Sequence, residues 1–232
     1  MTLLGQVANL WTINGSVMGT VAYNEPVTLI GGAQSGNDEI STAMRLAPRI
    51  VAADGGAAHV IAAGYRPERV IGDLDSLSDD LRLSLADMIE QVSEQDTTDF
   101  EKCLMRIDAA RVLALGFMGG RIDHQLAVLN VLARYADRRV VLLGVGDCAI
   151  VVPKEGLSLT LPVGDRIALM PLGASQAWTT GLRWNLDGQA LAPDGKISSS
   201  NEVAGPITVR AEGPVLLSTS AANLPALWSA LD

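Results

Sequence analysis

The sequence predicts an α/β protein in which a mostly parallel sheet with flanking helices is followed by a small all-β sandwich. Between Val27 and Leu143, short apolar runs alternate with segments of helical spacing. After about Gly144 the chain carries strand-like runs separated by Gly and Pro, and no helical pattern appears before the last dozen residues. Apolar residues make up 48% of the 232 residues and charged residues 19%, a composition that supports a buried core.

The predicted α/β domain covers residues 26–147. Its apolar runs are typical of buried strands, and the segments between them have the spacing of amphipathic helices, so the alternation favours a mostly parallel sheet. The predicted strands are Val27–Gly31, Arg49–Ala53, Val70–Gly72, Met88–Val92, Arg111–Leu115 and Arg139–Leu143. The predicted helices are Asp38–Ala47, Ala57–Ala63, Leu77–Ala86, Asp99–Ala110 and Asp123–Tyr135.

Residues 148–232 are predicted to form the sandwich, and residues 1–25 an N-terminal extension. The predicted strands of the sandwich are Ala149–Pro153, Leu157–Leu161, Arg166–Pro171, Gln176–Leu186, Ile207–Ala211 and Val215–Thr219. The extension has a turn signal at Asn14-Gly15, which fits either a short hairpin or a segment packed on the main body.

Charge and cysteine content exclude several classes of function. The net charge is −9 and the chain has no run of Lys or Arg, so binding to nucleic acid or to an anionic membrane surface is not expected. Cys103 and Cys148 form no C-x-x-C pair, which argues against a disulfide framework or a zinc site and fits the cytoplasm. The N-terminus lacks a basic leader, and no apolar run approaches the roughly 18–20 residues needed to cross a bilayer.

Aspartate-rich motifs follow several of the predicted strands. They are Ala53-Asp54-Gly55-Gly56, Gly72-Asp73-Leu74-Asp75-Ser76, Asp96-Thr97-Thr98-Asp99-Phe100-Glu101-Lys102 and Gly119-Gly120-Arg121-Ile122-Asp123-His124. Ligands of open parallel sheets bind beyond the carboxyl ends of the strands, where these loops meet. Carboxylates gathered there suit Mg²⁺ and polyphosphate.

Asp73 and Asp75 are the first candidate metal ligands. In an extended segment, residues two apart point to the same side, about 6.5–7 Å from one another along the chain. The alternative interpretation is a turn that caps the helix beginning near Leu77. That alternative is about as good as the metal site when the motif is taken alone.

Thr98 and Glu101 form a capping-box pattern that opens a helix. This pattern explains neither Asp96 nor Asp99, and a carboxylate at a helix N-terminus is well placed to hold a metal beside phosphate. A functional role is favoured for Asp99. For Asp96, a functional role and a simple position at the start of the helix are equally good explanations.

Glycines and one arginine are candidates for the phosphate side of the site. Gly55 and Gly56 permit close approach of a ligand to the backbone, and Gly32 follows the first strand of the domain in the same way. Arg121 offers bidentate contacts to phosphate, with Asp123 at a helix start beside it. His124 is better explained as a surface residue.

Trp184 and a polar segment are the features of the second domain that exceed what a sandwich requires. Ser198, Ser200 and Asn201 offer hydrogen bonds to a heteroaromatic ring, and Trp184 offers a surface for stacking. The alternative is a core or interface tryptophan beside a polar loop, and composition alone favours it.

Taken in order, the four aspartate motifs and Ser198-x-Ser200-Asn201-Glu202 closely resemble the thiamine pyrophosphokinase (thiamine diphosphokinase) family. The resemblance spans about residues 27–218. It implies an ATP-dependent diphosphotransferase that gives thiamine diphosphate and AMP. It also implies a homodimer, with active sites between the α/β domain of one subunit and the sandwich of the other.

The resemblance also suggests roles for individual residues. Catalytic carboxylates would be Asp73, Asp75 and Asp99, which also hold Mg²⁺, with Asp54 nearby. Residues of the nucleotide site would include Thr98, Arg121 and Asp123. Residues of the thiamine side would be Trp184, Ser198, Ser200 and Asn201.

Two other functions use the same residues. A metal-dependent phosphohydrolase would use the aspartates to activate water, but it gives no purpose to residues 198–202. A non-catalytic nucleotide-binding regulator would bind without turnover, which the density of carboxylates makes the weaker hypothesis. A P-loop kinase is excluded, because Gly195-Lys196 is followed by Ile197 and has no glycine five positions before Gly195.

Overall fold

The structure is a computed structural model that describes residues 19–232. Its first part alternates strands and helices: β1 (Val21–Tyr23), β2 (Val27–Ile30), α1 (Asn37–Leu46), β3 (Arg49–Ala53), α2 (Gly56–Ala62), β4 (Arg69–Gly72), α3 (Asp79–Ser84), β5 (Ile89–Gln91), α4 (Asp99–Arg106), β6 (Ile107–Ala109), β7 (Val112–Leu115), α5 (Ile122–Arg134) and β8 (Val140–Leu143). Its second part is mostly strand: β9 (Asp147–Val151), β10 (Leu157–Leu159), β11 (Arg166–Pro171), β12 (Ser175–Leu182), β13 (Asp187–Leu191), β14 (Ser198–Glu212) and β15 (Val215–Ser220), then a 3₁₀ turn (Ala221–Asn223) and α6 (Leu224–Ser229).

Six strands of the first part lie side by side in the order β5-β4-β3-β2-β7-β8, and each neighbouring pair is parallel. The chain builds outward from β2 to β5 and then returns to add β7 and β8 on the other side of β2. The order therefore reverses between β2 and β7, and a crevice forms at such a reversal beyond the carboxyl ends of the strands.

The sheet continues without a break into the second part. β8 pairs antiparallel with β9, in the register Leu143 with Cys148, and the order then runs β9-β15-β11-β14-β12-β13, with β10 on β14. The predicted mixed α/β architecture, a large sheet with helices, is confirmed. The predicted domain boundary at 147/148 falls inside the β8–β9 hairpin, across which the hydrogen bonding is continuous.

Alternate side chains of the parallel strands enter two separate cores. On β7, Leu113 and Leu115 belong to one buried cluster, which also contains residues of α1 and α2. Val112 and Ala114 belong to the other, which contains residues of α4 and α5. The first cluster continues into the second part of the chain through residues such as Ile167. This core therefore belongs to both parts of the chain.

Helix α4 ends four residues earlier than predicted. The sequence suggested a helix over Asp99–Ala110, but the helix stops at Arg106, and Ile107–Ala109 pairs in parallel with β1. Ile107 is buried and lies opposite Val21. The partner strand β1 lies in the predicted N-terminal extension. The spacing of residues 99–110 therefore could not reveal this pairing.

Two predictions for the second part are wrong in detail. The predicted strand Gln176–Leu186 ends at Leu182, because the chain turns there and returns as β13. The polar segment 198–202, which none of the predicted strands included, is the first part of the 15-residue strand β14. It is held extended by pairing with β11, where Asn201 lies opposite Ile167.

The remaining predictions concern the N-terminus, the cysteines and the membrane. Residues 19–25 of the predicted extension include β1, whereas the turn expected at Asn14-Gly15 lies outside the described residues. Cys103 and Cys148 are both free and buried. Among residues 19–232, no helix has the length and apolar character that crossing a bilayer requires.

Candidate active site

Four loops meet beyond the carboxyl ends of the central parallel strands. Each directly follows its strand, and they carry Gly32, Asp54, Asp73 and Phe117 after β2, β3, β4 and β7 respectively. Together they border a cavity of about 690 Å³. Seven of the predicted site residues line it: Gly32, Asp54, Gly55, Asp73, Thr98, Asp99 and Arg121.

A cluster of three carboxylates forms part of this edge. Asp54, Asp73 and Asp75 each present an oxygen, and these oxygens lie within 4.8 Å of one another. Asp54 is only 5% exposed, and its Oδ1 is the one buried side-chain nitrogen or oxygen within residues 19–232 that has no hydrogen-bond partner. An unpartnered buried carboxylate oxygen is costly, and a divalent cation bound there would satisfy it.

The backbone at this cluster is strained. Asp54 has φ of 42° and Leu74 has φ of 72°, both in the left-handed region, which side chains other than glycine rarely adopt. The two residues sit in neighbouring loops: Asp54 belongs to the cluster, and Leu74 lies between its other two members, Asp73 and Asp75. Such strain typically collects at functional sites.

Hydrogen bonds favour the ionised form of Asp73. Gln95 Nε2 donates to its Oδ2 at 2.8 Å, and the backbone N–H of Asp75 donates to its Oδ1 at 3.3 Å. The bond from Gln95 is the largest influence, and it lowers the pKa of Asp73 below its ordinary value despite partial burial. Asp75 is exposed and accepts a bond from the Ser76 hydroxyl at 2.9 Å.

Asp99 reaches the same cavity from the first turn of α4. Its Oδ1 lies 3.3 Å from Nζ of Lys102, one helical turn further on. Burial raises the pKa of Asp99, and the nearby Asp54 and Asp73 carboxylates add to the rise, while Lys102 opposes it. The predicted metal set was Asp73, Asp75 and Asp99, whereas the tight cluster contains Asp54 in place of Asp99.

The N-terminus of α4 is capped in part as predicted. The Thr98 hydroxyl accepts a bond from the N–H of Glu101 at 3.3 Å. The Glu101 carboxylate does not complete the capping box, because both of its oxygens pair with Arg134 of α5 at 2.5 Å. This bidentate pair ties α4 to α5, and both helices contribute residues to the lining of the cavity.

The loop before α4 is organised by Glu94, which the sequence did not single out. Its carboxylate accepts bonds from the N–H groups of Asp96 at 2.8 Å and Thr97 at 3.0 Å, and from the Thr97 hydroxyl. Burial would raise the pKa of Glu94, but these bonds outweigh it and lower the value. Asp96 itself is exposed and does not line the cavity.

In each of the two glycine pairs, one glycine is required for packing and the other lines the cavity. A Cβ on Gly56 would lie 2.1 Å from the carbonyl oxygen of Ile30, and a Cβ on Gly31 would lie 2.4 Å from that of Gly116. These two positions require glycine because neighbouring loops cross there. Gly32 and Gly55 line the cavity, where their backbones are open to a ligand.

Arg121 and Asp123 hold one another at the cavity mouth. Asp123 Oδ1 accepts from Arg121 Nε at 3.1 Å, and Oδ2 accepts from Nη2 at 2.5 Å. The bonds from Arg121 lower the pKa of Asp123. Both side chains are exposed, at 71% and 60%. The arginine lines the cavity and so does His124, which the sequence had suggested was only a surface residue.

The predicted residues of the second part lie elsewhere. Trp184, Ser198, Ser200 and Asn201 are absent from the lining of the cavity. Trp184 is 55% exposed, and Asn201, on β14, is buried beneath the turn that carries Trp184. Within one chain, the carboxylate cavity and the Trp184 turn are therefore separate surfaces.

Several residues of the cavity were not predicted. Lys102 is 2% exposed and supplies a buried cation, and its position three residues after Asp99 was a signal available in the sequence. Phe117 packs on Phe100 with ring centroids 4.7 Å apart, forming an apolar wall. Gln95 had no recognisable signal, since its role depends on the loop fold around Asp73.

Two family models match the chain. The model described as thiamin pyrophosphokinase, catalytic domain, matches residues 40–143. The model described as thiamin pyrophosphokinase, vitamin B1 binding domain, matches residues 149–216. The first matched range contains the whole carboxylate cluster, and the second contains Trp184 and residues 198–202.

Full-length relatives agree with these models. Thiamine pyrophosphokinase 3 of Oryza sativa subsp. japonica is 31% identical over 227 residues, which cover 80% of this chain and 82% of that protein. Thiamine pyrophosphokinase 1 of the same plant is 35% identical over 159 residues, or 60% of each chain. The matched region thus spans less than two thirds of the latter protein.

Solved structures show the same fold at low identity. The thiamin pyrophosphokinase from Candida albicans superposes with a TM-score of 0.70 at 20% identity, covering 84% of this chain and 89% of that one. The yeast thiamin pyrophosphokinase gives a TM-score of 0.69 at 18% identity, covering 91% and 92%.

Proposed function

The chain belongs to the thiamin pyrophosphokinase family, and from this we propose that it transfers the diphosphate of ATP to the hydroxyl of thiamine, giving thiamine diphosphate and AMP. The observation that carries the proposal is a single cavity that combines the carboxylates of Asp54, Asp73 and Asp99 with the cations of Lys102 and Arg121. Such a cavity suits a polyphosphate with its metal.

We propose that Asp54, Asp73 and Asp75 hold Mg²⁺, with Asp99 beside them. The donor set is all oxygen, which Mg²⁺ prefers, and the unpartnered Oδ1 of Asp54 is the atom most in need of a ligand. When bound, Mg²⁺ would neutralise charge on the phosphate oxygens. The hydrogen bonds from Gln95 and from the backbone favour the ionised form of Asp73, which is the form that binds a cation.

The protein's own residues would orient the triphosphate. Gly32 and Gly55 present open backbone to it, and the buried ammonium of Lys102 and the guanidinium of Arg121 balance its charge. An alcohol is a poor nucleophile, and negative oxygens shield the β-phosphorus. Charge neutralisation and in-line placement are therefore the main needs of the reaction. Either Asp54 or Asp99 would accept the hydroxyl proton.

We propose that the thiamine side of the site is formed by Trp184, Ser198, Ser200 and Asn201 of a second subunit. In one chain these residues and the carboxylate cavity are separate, and the exposed ring of Trp184 is available to a partner. A homodimer would bring the two surfaces together. Residues 26–147 would then act as the catalytic unit and residues 148–232 as a sandwich that binds thiamine, in the cytoplasm where ATP is available.

Subunit mixing tests the shared site. Asp73→Ala removes the metal side and Trp184→Ala raises the KM for thiamine, so each homodimer should be nearly inactive at thiamine concentrations near the wild-type KM. When the two variants are mixed in equal amounts, half of the dimers contain one subunit of each. Each mixed dimer has one intact site out of two, so about a quarter of wild-type activity should return. If mixed samples stay inactive while mixed dimers are demonstrated, the site is not shared between subunits.

The activity itself is tested by following AMP and thiamine diphosphate with ATP, Mg²⁺ and thiamine present. Asp73→Ala and Asp75→Ala should each lower turnover by at least about 10²-fold, because each removes charge stabilisation at the transferred group. Asp80→Ala, an exposed aspartate of α3, is the matched control and should retain activity. Near-normal turnover of either cluster variant would overturn the metal assignment.

Product analysis separates the two alternative functions. A metal-dependent phosphohydrolase would release phosphate without thiamine. A nucleotide-binding regulator would bind ATP without forming AMP. The proposed transfer predicts AMP only when thiamine is present, in equal amount to thiamine diphosphate.

A further inference from the structure

The turn that carries Trp184 is held by several side-chain contacts. It joins β12 to β13. Its Arg183 guanidinium lies 4.8 Å from the centroid of the Trp184 ring. Arg183 also pairs with Glu202 of β14 at 2.9 Å. The ring is therefore backed by a cation over one face, while the residue as a whole remains 55% exposed.

Asn201 makes a more specific connection to the same turn. It is 4% exposed, and its amide faces the backbone of the tryptophan. Oδ1 accepts from the N–H of Trp184 at 3.1 Å and from that of Glu202 at 2.9 Å, and Nδ2 donates to the carbonyl of Trp184 at 2.6 Å. One side chain thus satisfies both backbone polar groups of the residue that presents the ring.

Neighbouring contacts fix the rest of the turn without touching Trp184. Asn185 Oδ1 accepts from the N–H of Leu182 at 3.1 Å and from the Thr179 hydroxyl at 3.3 Å. The N–H of Arg183 donates to the carbonyl of Glu202 at 2.9 Å. Of the contacts described for this turn, those of Asn201 are the ones that reach the backbone of Trp184 itself.

We propose that Asn201 is a positioning residue of the acceptor site, which acts by holding the Trp184 backbone and not by contacting the acceptor. This inference rests on the proposed function. Both hydrogen-bonding groups of its amide already bind backbone, and the amide is buried beneath the turn. A ring that is ordered in advance loses less conformational freedom when it stacks on a heteroaromatic acceptor.

Removing Asn201 should therefore weaken acceptor binding alone. Asn201→Ala leaves the N–H and carbonyl of Trp184 without their partner, so the ring loses its fixed orientation. The KM for thiamine should rise about 10-fold, the scale of ordering one large side chain. The kcat and the KM for ATP should stay unchanged, since the phosphate side is untouched.

A double-mutant cycle with Trp184→Ala distinguishes positioning from direct contact. If Asn201 acts through Trp184, adding Asn201→Ala to Trp184→Ala should change the KM for thiamine by less than about 2-fold. Full additivity of the two effects would show that Asn201 contacts the acceptor itself and would overturn the proposal. So would an unchanged KM for thiamine in the Asn201→Ala single variant.

Ser175→Ala controls for a general loss of stability. Ser175 is a buried polar residue at the opposite end of β12, whose hydroxyl bonds the carbonyls of Gly173 and Pro214. Ser175→Ala should lower the unfolding midpoint without changing the KM for thiamine.

If Asn201→Ala does not fold, the cycle is run with Asn201→Asp, which keeps the two accepted bonds and loses the one donated to Trp184. A wild-type chain that does not convert thiamine would instead overturn the proposed function.

Discussion

The carboxylates of Asp54 and Asp73 approach within 4.8 Å at the ends of neighbouring parallel strands. The strand ends that carry them pack tightly, since a Cβ on Gly72 would lie 2.8 Å from the Cβ of Asp54. Two like charges at this distance repel, and Asp54 Oδ1 has no hydrogen bond to offset its burial. The fold therefore tolerates an arrangement that a bound cation would stabilise.

Asp54→Asn tests this arrangement in stability and in activity. Without Mg²⁺ the variant should unfold at the same temperature as the wild type or higher, because a repelled, buried charge is removed. Mg²⁺ at about 100 times its Kd should stabilise the wild type by about 2.7 kcal/mol and the variant much less. Activity should fall at least about 10²-fold.

The measurement for Asp54→Asn is thermal unfolding with and without Mg²⁺, using Asp80→Asn as the control. An equal Mg²⁺ effect on the wild type and on Asp54→Asn would exclude Asp54 from the metal site.

Gln95→Leu should make the free energy of unfolding less dependent on pH in the acidic range. A carboxyl whose folded-state pKa is held low stabilises the protein above its unfolded-state pKa, and that stability is lost as pH falls through the folded-state pKa. Gln95 lowers the pKa of Asp73 in this way. The variant should therefore be less stable than the wild type at pH 6, and the difference should close below about pH 4.

Denaturant unfolding between pH 3 and pH 7 without Mg²⁺ measures the effect of Gln95→Leu. Gln91→Leu is the matched control, since Gln91 donates to the backbone carbonyl of Asp73 and not to its carboxylate. A constant difference between Gln95→Leu and wild type at all pH values would contradict the assigned bond.

Gly56→Ala should destabilise the protein by about 2–3 kcal/mol, because the added methyl group meets the Ile30 carbonyl at 2.1 Å and the loops must separate. Gly205→Ala is the control, since its Cβ meets nothing within 4 Å. The control should be neutral or stabilising, within about 1 kcal/mol. Equal stability of the two variants in urea would show that the crossing of β2 and α2 is looser than described.

The Glu101–Arg134 pair should contribute more to stability than an exposed pair does. Glu101 is 7% exposed in its side chain, so Arg134→Met leaves a buried carboxylate with only the Tyr135 hydroxyl, at a cost of about 2 kcal/mol. Lys154→Met breaks the exposed pair with Asp137 and should cost less than about 0.5 kcal/mol. Urea denaturation compares them, and similar losses would refute the assigned burial.

The sequence was sufficient for the order and type of most elements. Apolar runs and helical spacing are local patterns, and they predicted five helices and six parallel-sheet strands to within a few residues of their observed bounds. The aspartate motifs also stood out locally, because each combines turn residues with carboxylates in a short span. Together they were enough to predict a phosphate site with Mg²⁺ at one edge of the sheet.

Only the tertiary structure decided which residues meet. Asp54 lies beside Asp73 and Asp75 because β3 and β4 are neighbours, and neither this pairing nor the positive φ of Asp54 has a local signature. The first part of β14 is a strand because β11 lies beside it, which places the Asn201 amide beneath Trp184. Spacing along a chain reports periods of two and 3.6 residues, whereas a site depends on pairing between segments far apart in sequence.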